Sequence, residues 1–527
     1  MSINKSLFEK PLMDILDDAC NRYADRVCLQ FKGESYTYAE VQAMSIEVAQ
    51  ALHSAGFKSG MHSAIYSLNS AKAFITTLGI IRAGGVWIPI NPRNSKTDNV
   101  KVLGNLGCQA FFYQDEFSSV LPSIKETLGG LAISICLDEV NGEGGFDAWL
   151  KGADKTPFNV ARHPGDTITI PMTGGTTGLP KGVMLSDRNF QALCYAICND
   201  MDRNDDALLP VYLSAAPMTH VGGRIVIASM GAGMRYVIKE TIDLQDILKT
   251  IQDEKVTDIF LPPTAIYGLL AQPNVTDFDY SSLRMIGYGS APMSISQLKK
   301  AIEVFGPVMA GGFGQTECPM KITALTQADH FIDGKLAPDS RLRSVGRATL
   351  ISEVAILDEQ LNLVAAGERG EIAVKGGNVS EGYFNDPVAT QSMRKNGWHL
   401  TGDIGYMDED GFVFIVDRKK DMIITGGFNV YSAEVEQGLG SIEGVAGVAV
   451  IGVPSDKWGE EVKAIVQLAP AAKLSEEDIL AISKEKMGSV KAPKSVEFVD
   501  EFLKTPLGKI DKKRIRQEYW KEAERVI

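Results

Sequence analysis

The spacing of apolar residues changes along the chain, and the changes mark its elements. Leu12, Ile15, Leu16 and Ala19 recur at helix spacing, which predicts a helix from residue 12. Val27-Cys28-Leu29-Gln30-Phe31 reads as a strand, Lys32-Gly33-Glu34 as a hairpin turn into Tyr36-Thr37-Tyr38, and 39–55 as a second helix stopped by Gly56. Short apolar runs at 63–66, 86–89, 110–112 and 133–136 then alternate with helical stretches such as 70–82. The alternation resumes with a helix start at Ser186-Asp187-Arg188-Asn189, a helix near 243–253, and strands at 258–261 and 285–288, with Pro262-Pro263 read as a break. This predicts a multi-domain α/β fold of layered parallel sheets and helices, in which ligands sit at the carboxyl ends of strands. Beyond residue 350 the texture becomes strand-rich, with runs at 353–357, 370–374, 398–403 and 412–416. The charged cluster Asp417-Arg418-Lys419-Lys420-Asp421 reads as an exposed linker, and a boundary there gives a large N-terminal domain, 1–419, with a β-rich subdomain. Residues 420–527 keep an apolar pattern of their own, enough for a small α+β domain.

Composition narrows the partners. With 66 acidic and 53 basic side chains the net charge is −13, which argues against nucleic-acid binding but leaves room for a local basic pocket. The seven cysteines are scattered, without a C-x-x-C pair, and Cys194 and Cys198 lack His or Cys partners at metal spacing; buried free thiols in a reducing compartment are expected. Met1-Ser2-Ile3-Asn4-Lys5 lacks the apolar core of a signal peptide, and the longest apolar stretch, 64–90, is broken by Lys72 and Arg82. No membrane span and a cytoplasmic location follow.

The chemistry concentrates in a few loops. Thr173-Gly174-Gly175-Thr176-Thr177-Gly178-Leu179-Pro180-Lys181-Gly182 follows a β-prone run. Its glycines let successive N–H groups converge on an anion, its hydroxyls add donors, and Lys181 adds a point charge. It is not a Walker A loop, since Pro180 precedes the lysine and Gly182 follows it. The residues alone fit either a phosphate cradle or a flexible turn. Met309-Ala310-Gly311-Gly312-Phe313-Gly314-Gln315-Thr316-Glu317 reads as an apolar strand running into a glycine-rich turn. There Phe313 could stack on a purine, and Glu317 could bind Mg²⁺ or be a solvated carboxylate. Asp403, placed after a strand, is either a ribose acceptor or a turn cap, and Lys509 in a Pro/Gly loop is either chemical or a solvated charge. His220 beside glycines is either structural or part of a site.

In order along nearly the whole chain, these motifs resemble the adenylate-forming superfamily of acyl-CoA synthetases, luciferases and peptide-synthetase adenylation domains. The resemblance implies an AMP-forming acyl-CoA ligase. ATP and Mg²⁺ would activate a carboxylic acid as an acyl-adenylate, with release of pyrophosphate, and coenzyme A would take the acyl group. Carried over position by position, it implies that Thr173, Gly174, Gly175, Thr176, Thr177, Gly178 and Lys181 hold the β- and γ-phosphates. Ser290, Ala291, Pro292, Gly312, Phe313 and Gly314 would line the adenine. Thr316 would contact the α-phosphate, Glu317 would bind the metal, and Asp403 and Arg418 would hold the ribose. Lys420 takes the hinge position and Lys509 that of the catalytic lysine. Gly426-Gly427-Phe428 matches the loop that lines the pantetheine channel once the mobile small domain has rotated. His220, Val221, Gly289 and Gly312 would border the acyl pocket, within a wall that also includes Val211, Met218, Arg224 and Met320, where Gly222-Gly223 and Gly311-Gly312 leave room. Gly174 replaces a frequent serine, and Thr219 a frequent aromatic. No acidic residue near 218–224 awaits an α-amine, so a plain acid is expected, either aryl or alicyclic, or a medium-to-long fatty acid. A relative with a non-CoA acceptor and a non-catalytic nucleotide-binding homologue are the alternatives. A homodimer is the default assembly.

Overall fold

The computed structural model describes residues 10–520 except 130, 139–144, 158–159, 174–179, 202–208, 427, 456, 471 and 505–509, and the side chain of Met201. Gly174, Gly175, Thr176, Thr177, Gly178, Gly427 and Lys509 therefore lie outside the described residues. The chain divides into two compact units, one of residues 1–354, 374–399 and 411–413, the other of 355–373, 400–410 and 414–527.

The N-terminal helix forms over Leu12–Arg22, with Leu12, Met13, Leu16, Ala19 and Cys20 buried on one face. The hairpin turn at Lys32-Gly33 has positive φ at both residues (49° and 84°), the mirror-image turn whose twist matches antiparallel strands. Tyr38–Ser54 follows, its first turn closed by a capping box between Thr37 and Glu40. Among the described residues of the first unit, two large sheets emerge. One runs in the order Arg347–Ala348, Cys318–Leu325, Met309–Gln315, Met285–Tyr288, Asp258–Leu261, Val211–Ser214, Arg235–Ile238, Val27–Phe31, Glu34–Thr37, parallel from Met309–Gln315 to Val27–Phe31. The other has Thr167–Thr169, Val86–Ile90, His62–Tyr66, Ala110–Tyr113 and Ile133–Cys136 as its parallel part. Val86–Ile90 is buried throughout, as a strand covered on both faces must be. The expected layered α/β architecture is therefore present.

Two local readings need correction. Pro262-Pro263 is not a break but a helix start: Pro263–Leu270 has Pro263 at its first position, where a missing N–H costs no hydrogen bond. The glycines at 311–314 do not form a turn; the strand runs on through Met309–Gln315. The described cysteines are free, and all but Cys198 are buried; burial pushes the thiol of Cys20 up to about 11 and that of Cys108 to about 12.

Within the second unit, Ile423–Thr425, Phe428–Val430, Val445–Ser455, Gly459–Leu468 and Ser495–Phe498 form a sheet, with Val445–Ser455 and Gly459–Leu468 as a long hairpin. Ile423, Val430, Val435, Leu439, Val450 and Val462 make its core with Ser432–Gly440 and Glu476–Lys491. The cluster at 417–421 is only partly an exposed linker. Asp417 is 5% exposed at the end of Val413–Arg418, accepting from Arg418 N at 2.7 Å and Ser432 Oγ at 3.2 Å. Its carboxyl lies above the usual range because burial outweighs Lys512 and these donors.

Candidate active site

Strand pairing fixes the lysine of the glycine-rich loop. Met172–Thr173 pairs antiparallel with Lys181–Ser186, which sets Thr173 opposite Lys181. Gly382–Tyr383 also pairs antiparallel with Lys181–Ser186, Tyr383 opposite Val183, and Phe384 N donates to Gly182 O at 2.8 Å. Asn189 Nδ2 holds the approach to this strand by donating to Gly377 O and Val379 O at 2.8 and 2.9 Å. Lys181 Nζ consequently lies 3.3 Å from Asp386 and 5.0 Å from the centre of the Tyr383 ring.

Glu317 reaches the same cluster. Thr316-Glu317 is the two-residue tip of a hairpin in which Gln315 faces Cys318. Ser380 N donates to Glu317 O at 2.8 Å, and the Tyr383 hydroxyl donates to Glu317 Oε1 at 2.7 Å. Burial, followed by the Glu317 charge, pushes the Tyr383 phenol far above its ordinary range, so it remains a donor at any working pH. Gln315 Nε2 donates to His399 Nε2 at 3.1 Å. Burial and the Arg394 charge pull His399 down to about 3, so it is a neutral acceptor. Tyr383, Asp386, Gln315 and His399 carried no signal in the sequence; Tyr383 and Glu317 are 66 positions apart.

The glycines of the hairpin admit backbone rather than ligand. A Cβ on Gly314 would sit 2.5 Å from Met320 N, and one on Gly312 2.8 Å from Thr323 O. A Cβ on Gly311 would sit 2.7 Å from the Tyr288 ring, and one on Gly222 or Gly223 would sit 2.6 Å from Ala216 O or 2.1 Å from Met218 O. At these four positions neighbouring protein atoms exclude a side chain. Val211 leaves the expected wall: it begins the strand Val211–Ser214 and is buried in a core with Leu213 and Ile259, away from the strand's carboxyl end. Ser290 follows the buried Gly289 at φ +65° and Met320 sits at +62°, strained values for side-chain-bearing residues. Ser290 and Pro292 are exposed, Ala291 and Thr316 half-buried, and Phe313 buried.

His220 precedes the helix Val221–Ser229 as its N-cap. Arg224 folds back beside it, Nε donating to His220 O at 3.4 Å and Nη2 lying 3.5 Å from His220 Nδ1. A cavity of roughly 20 Å³, about one water in size, lies against this helix, lined by Thr219, Gly223 and Ile227 with Ser70, Thr77 and Trp87.

Within the second unit, Asp403 is 1% exposed and pairs with Arg418, Nε to Oδ1 at 2.6 Å. Asp403 lies inside the strand Trp398–Met407 rather than after it. The exposed Lys420 follows Val413–Arg418, and its carbonyl accepts from Arg516 Nη1 at 3.1 Å. Gly426, at φ +57°, and the exposed Phe428 flank residue 427.

The chain matches the AMP-binding enzyme family over residues 16–384 and the AMP-binding enzyme C-terminal domain over 434–509. It belongs to that family. It is 32% identical to the medium/long-chain-fatty-acid–CoA ligase FadD8 of Mycobacterium tuberculosis, over 97% of this chain and 91% of that one. It is 31% identical to a feruloyl-CoA synthase of an Amycolatopsis species, over 92% and 94%. ATP-bound MatB of Rhodopseudomonas palustris superposes with a TM-score of 0.86 at 27% identity, covering 98% of this chain and 100% of that one. The reaction class is thus AMP-forming acid–thiol ligation, with ATP and CoA as co-substrates and Mg²⁺ as the usual ion. The described residues contain no group of three His, Cys, Asp or Glu side chains able to cage a metal. A single carboxylate, Glu317, fits Mg²⁺, which takes one or two carboxylates together with phosphate oxygens. No described helix is long and apolar enough to cross a membrane.

Proposed function

We propose that Thr173, Lys181 and the 174–178 loop hold the β- and γ-phosphates of ATP, that Thr316 contacts the α-phosphate, and that Glu317 carries the Mg²⁺ that offsets their charge. Ser290, Ala291, Pro292, Gly312, Phe313 and Gly314 line the adenine; Asp403, oriented by Arg418, accepts from the ribose hydroxyls. A carboxylate oxygen of the acid attacks the α-phosphorus, the bond to the bridging oxygen breaks, and pyrophosphate leaves. Both reactants are anions, so the barrier falls through positioning and charge neutralisation, in which Lys509 is the chemical residue. The CoA sulfur then attacks the acyl carbon and AMP departs. Residues 1–419 and 420–527 form the two domains of this cycle, with Lys420 as hinge and Gly426-Gly427-Phe428 along the pantetheine path. The break between the matched segments, 385–433, contains that boundary and supports it. The acid, bordered by His220, Val221, Gly289 and Gly312, is an aryl, alicyclic or medium-to-long-chain acid, in keeping with the relatives' names. The enzyme works in the cytoplasm as a homodimer.

The observation that carries the reading is the cluster Lys181–Tyr383–Glu317, which unites the loop lysine and the candidate metal carboxylate. The test is acid-dependent exchange of labelled pyrophosphate into ATP, followed by CoA-thioester formation over a panel of acids. Exchange and thioester with at least one acid are expected. Exchange without thioester would favour a non-CoA acceptor, and ATP binding without exchange a nucleotide-binding protein.

A further inference from the structure

Arg224 is a buried cation lacking a counter-charge among the described residues. It is 4% exposed, and the His220 carbonyl and ring nitrogen, at 3.4 and 3.5 Å, are its only hydrogen-bond partners among the described residues. No described carboxylate acts on it, and burial alone pulls its guanidinium down to about 10. Its surroundings make this worse. The side chain turns back toward the amino end of Val221–Ser229, where the helix presents its positive pole and no side chain caps the free N–H groups. A buried cation is ordinarily paired, and this one is the reverse of paired. Gly222 and Gly223 pack the helix start onto Ala216 O and Met218 O, so the arrangement is fixed by backbone contact. Arginine's five donors in a planar fork suit the paired oxygens of a carboxylate or a phosphate, of which the carboxylate is the smaller. Arg224 and the amino end of the helix together place positive charge beside His220.

Resting on the ligase reading above, in which His220 borders the acyl pocket, we propose that the acid carries a second carboxylate and that Arg224 receives it. The substrate class is a dicarboxylic acid: one carboxylate is adenylated, while the other enters the pocket and pairs with the guanidinium. A pocket for a plain alkyl or aryl acid would leave this cation without a carboxylate partner among the described residues.

The test compares dicarboxylic acids with their monomethyl esters, in aliphatic and aryl series, by acid-dependent pyrophosphate release. The wild-type protein is expected to prefer the diacid by about 10- to 100-fold in kcat/KM, mostly through the KM of the acid, as suits one charge-assisted pair. Arg224→Met should collapse that ratio toward one, and Arg224→Lys should keep part of it. Diacids should also raise the thermal midpoint of the wild-type protein and not that of Arg224→Met. A wild-type ratio near one, or an unchanged ratio in Arg224→Met, overturns the proposal and leaves the ligase standing. If Arg224→Met does not fold, the wild-type ratio alone decides. Absence of pyrophosphate release with every acid, alongside an Arg224-dependent thermal shift by diacids, would overturn the ligase reading and leave the anion site.

Discussion

Tyr383→Phe removes one oxygen and nothing else from the cluster around Lys181. The hydroxyl donates to Glu317 at 2.7 Å, and the ring underlies the lysine at 5.0 Å. A hydrogen bond to a charged acceptor contributes about 1.5–3 kcal/mol when shielded. Tyr383 and Glu317 are both half-buried, so about 1–2 kcal/mol is the fair figure, or roughly 5- to 30-fold. The loss should appear in kcat/KM for ATP and as a higher Mg²⁺ concentration at half-maximal rate, both read from pyrophosphate release. Phenylalanine retains the ring, so Tyr383→Leu should cost a further ~0.5–1 kcal/mol through the cation–π contact with Lys181. A double-mutant cycle makes the test specific: in a Glu317→Gln background, Tyr383→Phe should cost much less. Equal losses in both backgrounds would refute the coupling and reduce Tyr383 to packing.

Three more outcomes are expected. Lys509→Ala should abolish adenylation yet spare thioester formation from a supplied acyl-adenylate; equal loss of both half-reactions counts against a two-conformation cycle. His399 is held neutral in the fold, down to about 3 against an ordinary 6.5, so the unfolded chain takes up its proton first on acidification. Its contribution to stability is therefore complete above the unfolded value and is lost as pH falls from about 6.5 toward 3, by about 2 kcal/mol at pH 5. Urea midpoints of the wild-type protein should fall over this range more steeply than those of His399→Gln, and parallel curves would deny it. Gly314→Ala should distort the hairpin tip, because its methyl carbon would lie 2.5 Å from Met320 N. A loss of about 1–3 kcal/mol in stability and most of the ATP-dependent activity is the expected result, measured by thermal melting and pyrophosphate release.

What the sequence disclosed was local. Leu12, Ile15, Leu16 and Ala19 announced Leu12–Arg22, and the alternating runs at 63–66 and 86–89 became adjacent parallel strands. Each of those signals lies within one element, where periodicity acts directly. Pro263 misled because proline stops a helix in its middle but suits its first position. The glycines at 311–314 misled because glycine serves close backbone approach as readily as turning, and only a folded neighbour reveals which. Asp417, charged and flanked by charge, gave no hint of burial under the donors of Ser432 and Ala433. The Tyr383–Glu317 and Gln315–His399 contacts join residues 66 and 84 positions apart, and no period reports such pairs.

Lys181 does not wait for phosphate in open water. Asp386 already holds it at 3.3 Å, and Asp386 is itself anchored as the cap of Pro387–Met393, its carboxyl kept low by the N–H of Ala389 and then by the lysine. For a phosphate-clamping Lys181, Asp386 is a competitor built into the same polypeptide. ATP binding becomes an exchange of one anion for another, weakened by the carboxylate it displaces. Pyrophosphate departure gains by the same amount, since the cation it leaves has a partner within reach. If Lys181 clamps phosphate, weaker nucleotide capture is thus coupled to easier pyrophosphate release, with Asp386 setting the balance between them.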